Sequence, residues 1–200
     1  DYILPQILFE FEDRYPHATV ETVFTNPHDI ADGLEEGTID IGLVETEIDN
    51  PVLESTRLCQ DELFVVSSDE IFAKKGPYHI EELLQKKWIL REPGAGSRDT
   101  FDAYLGSYMD RMRITLQMHH TVSIKRVLQN SDTLSCLSPF AIQRELEYGE
   151  LFRVHLKNIR LIRHFHAVVH KDKYRSKLLN TFFHGVEAYL GTDRQIFHEE

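Results

Sequence analysis

Apolar positions along this chain follow two alternating rhythms. Ile3, Leu4, Ile7, Leu8 and Phe11 recur at the spacing of one helical face, and Tyr15-Pro16 stops that helix because a residue before proline avoids the α region. From Thr19 to Thr25 the pattern switches to period two, with Val20, Thr22 and Phe24 on one face of an expected strand. Asn26-Pro27 then caps and opens a helix that buries Ile30, Ala31 and Leu34 and ends at Gly37, a residue suited to the left-handed C′ position. Ile39 to Val44 is near-continuously apolar apart from Asp40, which predicts a central parallel strand covered on both faces. Helix, strand, helix, strand up to Val44 points to an α/β architecture with right-handed crossovers.

The same alternation continues. After the polar stretch Glu45 to Thr56, Leu58 to Ser67 reads as a strand leading out of a first lobe. Ile80, Leu83 and Leu84 mark a short helix from His79, and Trp88-Ile89-Leu90 a strand. That strand delivers Arg91-Glu92-Pro93-Gly94-Ala95-Gly96-Ser97-Arg98, after which Phe101, Tyr104, Leu105 and Tyr108 resume helical spacing. Ile114 to His120 alternates as a strand, Ser123 opens a helix bearing Ile124, Val127 and Leu128, and Thr133 to Leu137 is a buried strand. Pro139 starts a helix running to Gly149, Leu161 to His170 is a long strand, and Ser176 to Leu190 is an amphipathic helix. No low-complexity tract or internal repeat appears.

Composition narrows what such a fold does. Its 200 residues, 42% hydrophobic and 28% charged, suit one large domain or two lobes, and no apolar run approaches membrane-spanning length. A net charge of −11 argues against this chain gripping a phosphate backbone by itself. The start, Asp1-Tyr2-Ile3-Leu4-Pro5, lacks a Met, a basic n-region and a small-residue cleavage site, and reads as an interior segment of a longer protein. Cys59 and Cys136 make no metal or redox motif and suit a reducing cytoplasm, and Cys136, in a buried strand, reads as a small apolar side chain.

The loop from Gly94 to Arg98 carries the chemistry. Glycines let the backbone approach a ligand, and the free N–H groups opening the following helix favour an oxygen-rich or anionic group, with Arg98 as a forked charged donor. Eleven histidines include His164, His166 and His170 on one strand face and the adjacent His119-His120, but their spacing is not diagnostic of a metal site. No metal or cofactor is therefore expected. Glu35-Glu36 and Glu81-Glu82 point to different helical angles and make no acid/base pair, and no nucleophile stands at catalytic spacing, so an enzyme is not expected.

The landmarks together resemble the effector-binding domain of LysR-type bacterial transcriptional regulators over essentially the whole chain. Leu4-Pro5, Phe11 and Tyr15-Pro16 fit the first helix, and Leu34-Glu35-Glu36-Gly37-Thr38-Ile39-Asp40-Ile41-Gly42-Leu43-Val44 fits the next landmark. The loop Glu92 to Arg98 and the segment from Ser131 through Pro139 to Leu151 also match, although Asn130-Ser131-Asp132 replaces the Gly-x-Gly of many members. The resemblance implies two Rossmann-like lobes joined by two crossover strands, similar to the periplasmic-binding-protein type 2 fold. Lobe I would be residues 1–68 plus 162–200 and lobe II 69–161. It implies a small-molecule effector, anionic or carboxylate-bearing, in the cleft between lobes, touching Thr25, Asn26, Gly94, Ala95, Gly96, Ser97, Arg98, Thr121, Val122 and Ser123. A strand before the first helix, which completes the pocket in the family, lies outside this sequence. It further implies self-association through the Ile3 to Tyr15 helix, a cytoplasmic location, no membrane partner, and DNA binding only through a winged helix-turn-helix not present in this chain. The alternative is a solute-binding receptor of a transport system with the same bilobal fold.

Overall fold

The computed structural model describes residues 2–191. In chain order its first elements are α1 (Leu4–Arg14), α2 (Pro27–Glu36), β1 (Gly42–Val44), β2 (Leu53–Ser67), α3 (Glu70–Lys74), α4 (Ile80–Leu83), β3 (Trp88–Arg91) and α5 (Gly96–Leu105). A 3-10 turn at Gly106–Arg111 leads to β4 (Ile114–Met118), α6 (Thr121–Leu128), β5 (Ser135–Leu137), α7 (Pro139–Glu147), β6 (Phe152–Val154), β7 (Leu161–His170) and α8 (Lys177–Gly191). Two compact units result. Unit 1 is the chain up to Gln60 and from His164 onward, and unit 2 is Asp61–Arg163, so β2 and β7 are the two strands through which the chain passes from one to the other.

In unit 1, α1 buries Ile7 and Phe11 against Phe182 and Val186 of α8, with the Phe11 and Phe182 rings edge-on at 5.1 Å. The opposite side of α1 leaves Phe9 exposed. Asn26 caps α2 by accepting from the Asp29 N–H at 2.9 Å, and Gly37 closes it at φ 74°, a left-handed conformation that glycine adopts without a Cβ penalty. Ala31 and Leu34 of α2 pack on Val44, Leu53 and Val168. At Gly42 the helix approaches the strand so closely that a Cβ would lie 2.5 Å from Ile30 Cγ2.

Two strand expectations change here. β1 is antiparallel to β7, with Gly42 opposite Val168 and Val44 opposite His166, and is not the parallel strand that its apolar run suggested. Residues 19–25 form no strand, because no backbone hydrogen bond joins them to a neighbouring strand among the described residues, and Val23 and Phe24 stay exposed. Alternation marks a half-buried pleat only where a neighbouring strand supplies the ladder.

Unit 2 is a layered α/β unit. The second half of β2 pairs antiparallel with β5 and β6, placing Val65 opposite both Cys136 and Val154, while β3 and β4 pair in parallel. Alternating side chains feed two cores. Leu63, Val65, Trp88 and Leu90 pack with Leu83, Phe101 and Leu105 on one side, and Phe64, Val66 and Ile89 pack with Ile124, Leu128 and Ile142 on the other. Trp88 is fully buried, its indole N–H donating to the Leu83 carbonyl at 2.9 Å. Two buried faces explain why β3 reads as an unbroken apolar run.

Candidate functional site

β3 ends at Arg91, and the chain turns through Pro93 and Gly94, the latter at φ 85°, into α5. The Gly94 N–H donates to Asp99 Oδ1 at 3.1 Å, which locks the turn onto the helix it starts. α5 begins at Gly96 behind Ala95, whose side chain cannot cap, and the N–H groups of Gly96 and Ser97 have no partner among the described residues. The expected helix after Thr100 thus starts earlier and ends at Leu105. Ser97 Oγ is likewise free.

α6 repeats the arrangement. It starts at Thr121, before the expected Ser123, behind His120, which makes no side-chain cap, and the N–H groups of Thr121 and Val122 are unpartnered among the described residues. Val122 is exposed, and so is Ser123. Each uncapped start carries the positive end of a helix dipole. By contrast α2, α3, α7 and α8 have starts closed by Asn26, Asp69, Ser138 and Ser176.

Arg91 joins the two loops. Its Nη1 donates to Thr121 Oγ1 at 3.3 Å, while Nε and Nη2 form a forked pair with Glu92 at 2.9 Å each. Those hydrogen bonds from Arg91 hold the Glu92 carboxyl below its ordinary range, against the opposing effect of burial. Arg98 is placed differently from a ligand donor. It is buried, its Nε sits on Asp102 at 2.8 Å and its Nη1 on the Arg91 carbonyl at 3.0 Å, so it ties the end of β3 to α5. Sequence reasoning gave no role to Arg91; the signal for Arg98 was Asp102 four residues on, the spacing of a helical ion pair.

Thr25 and Asn26 lie in unit 1 and are exposed. Both side chains turn to Asp29, so this helix start is satisfied from within the chain. Elsewhere, Cys136 is buried, and burial pushes its thiol pKa up, as for an inert core side chain. Among the described residues no three His, Cys, Asp or Glu side chains are grouped to hold a metal, and no helix is long and apolar enough to cross a membrane.

Two α/β units threaded by a pair of shared strands, with open helix starts after strands, make the build of a periplasmic-binding-protein type 2 ligand-binding domain. The family model for the LysR substrate binding domain matches residues 1–190, and the chain belongs to that family. It is 29% identical over 182 residues to the uncharacterized HTH-type transcriptional regulator YeiE of Escherichia coli strain K12, covering 91% of this chain and 62% of the relative. The HTH-type transcriptional regulator CysL of Bacillus subtilis strain 168 is 26% identical over 82% of this chain and 55% of its own length. The chain thus spans under two thirds of these relatives. In fold it is similar to the CcmR regulatory domain of Synechocystis PCC6803, determined with 2-PG, at a TM-score of 0.85, 22% identity, and coverage of 96% of this chain and 93% of that one.

Proposed function

We propose that this chain is the effector-sensing domain of a LysR-type transcriptional regulator, and that its effector is a small oxygen-rich or anionic molecule held at the starts of α5 and α6. The observation that carries this is the pair of uncapped helix starts linked by Arg91 and Thr121. The four N–H groups at Gly96, Ser97, Thr121 and Val122, unpartnered among the described residues, and the hydroxyls of Ser97 and Ser123 would act as donors for oxygen, and Val122 would add an apolar contact. Gly94 and Ala95 keep the approach free of bulk. Arg91 supplies the cation, partly offset by Glu92, and Arg98 holds the loop in place. That a fold relative, the CcmR domain, was determined with 2-PG supports a small ligand.

Units 1 and 2 would act as regulatory subdomains I and II, biasing DNA binding by a separate domain of a longer cytoplasmic regulator through different affinities for two states. Self-association would use the Ile3 to Tyr15 helix through the exposed Phe9, since Ile7 and Phe11 are taken by α8. Sedimentation of the purified chain tests that point, a strictly monomeric species counting against it. The pocket is tested by a thermal-shift metabolite screen on the chain and on its Ser97→Val, Thr121→Val variant. The variant should fold normally and lose the shift that a hit produces; an unchanged shift removes the assignment.

A further inference from the structure

Unit 1 holds a polar cluster that the effector reading leaves unused. Arg57 on β2 meets His164 on β7 through Nη2 and Nε2. A guanidinium only donates, so His164 Nε2 accepts and its proton sits on Nδ1. His166 lies two residues further along β7 and Ser55 two residues before Arg57, each on the same strand face as its neighbour. β7 lies beside β2 in the sheet, and the contact of Arg57 with His164 brings this stretch of the two strands together. His166 also stands opposite Val44, which places this row on the face where α2 covers Val44, Leu53 and Val168. Beyond the apolar patch the face becomes polar.

Three features of the row are unbalanced. Arg57 is exposed and has no carboxylate partner among the described residues. Ser55 Oγ and His166 Nδ1 are buried without a hydrogen-bond partner, a costly state for any polar group that nothing completes. Burial, then the Arg57 charge, then His166 lower the His164 pKa, which keeps that imidazole neutral beside the guanidinium. A metal cation is a poor occupant next to Arg57, and no metal-holding group of three occurs among the described residues.

We propose that Arg57, His164, His166 and Ser55 form an anion site in unit 1 that takes a small oxyanion or carboxylate. The guanidinium offers paired N–H donors matched to two oxygens, and rotation of the Ser55 hydroxyl or the His166 ring supplies more. Occupancy gives Arg57 the counter-charge that the described residues do not supply. The site rests on different residues from those at α5 and α6, and its fate is separable from theirs.

The test is titration of the chain with sodium sulfate and, separately, sodium acetate, at fixed pH and ionic strength, following the imidazole Cε1–H signals by NMR. At least one ion should shift the His164 and His166 signals saturably, sulfate marking a tetrahedral oxyanion and acetate a carboxylate. Arg57→Gln should weaken that binding about tenfold or more, as expected for loss of a charge-assisted pair. Because Arg57 is exposed, the variant should melt as the parent does. Ser97→Val, Thr121→Val should bind the ion unchanged. No saturable shift with either ion, equal affinity in Arg57→Gln, or loss in the Ser97, Thr121 variant would each overturn the site.

Discussion

Replacing Arg163 by Met tests a buried ion pair of unit 2. Asp61 of β2 is fully buried, and it accepts from Arg163 Nε at 2.7 Å and from Ser138 Oγ at 3.2 Å. The Arg163 side chain retains only 7% of its exposure. Removing the cation leaves a buried carboxylate with one neutral hydrogen bond, and breaking such a pair costs about 3–5 kcal/mol. With a urea m-value of about 2 kcal/mol/M, the midpoint should fall by roughly 1.5–2.5 M. Trp88, the single tryptophan, is buried in unit 2 and reports its unfolding by fluorescence. The partner experiment is Asp61→Leu with Arg163→Met, which removes both charges and should recover most of the loss, since an apolar pair of similar volume is often neutral. A single-variant loss under about 1 kcal/mol, or a double variant as unstable as the summed singles, would show that the pair is not desolvated as described.

Three further outcomes follow from local geometry. Burial alone would push the Glu62 carboxyl up, but hydrogen bonds and charges from Arg160 and Arg153 outweigh it and hold the pKa below its ordinary value. A depressed folded pKa gives stability that is complete above the ordinary glutamate value and lost as pH falls through the depressed one, so Glu62→Gln should flatten that acid limb in melts from neutral to low pH. Gly42→Ala should cost about 1–3 kcal/mol in urea titration because its Cβ meets Ile30, whereas Gly106→Ala, with nothing within 4 Å, should be neutral or up to about 1 kcal/mol stabilising. Asn26→Ala should lose about 1 kcal/mol with the α2 cap, and Ala95→Asp should gain a similar amount by capping α5 while weakening any anion held there, read by melting with and without a screening hit.

Local chemistry carried much of the architecture into the sequence. Asn26-Pro27 and Gly37 bracket α2, and Ser138-Pro139 opens α7, because caps and proline act within a few residues. The two α/β units and the LysR family were legible from ordered landmarks, and the family match over residues 1–190 agrees. Pairing was less legible. β1 looked parallel because an apolar run reports burial on two faces, while its antiparallel partner Val168 lies far along the chain. Residues 19–25 carried strand alternation without a ladder, a property of neighbours and not of the segment. At the candidate site the partners of the two arginines were not legible, since only geometry shows Arg98 on Asp102 and Arg91 on Thr121.

The uncapped starts of α5 and α6 give the proposed sensor a physical means of responding. α7, behind Ser138, closes a first-turn N–H group with a side chain of its own. At Ala95 and His120 the chain supplies no such group, so a ligand oxygen there replaces water on N–H donors already fixed by the helix. Such a ligand binds the folded chain and not the unfolded one, and at a hundredfold excess over its dissociation constant it stabilises by about 2.7 kcal/mol. Arg91 spans from Glu92 to Thr121, so an anion that draws it from Glu92 also changes its hold on the start of α6. One exchange of hydrogen bonds at a single guanidinium would thereby couple the order of two helices to the presence of the proposed effector, before any rearrangement elsewhere is required.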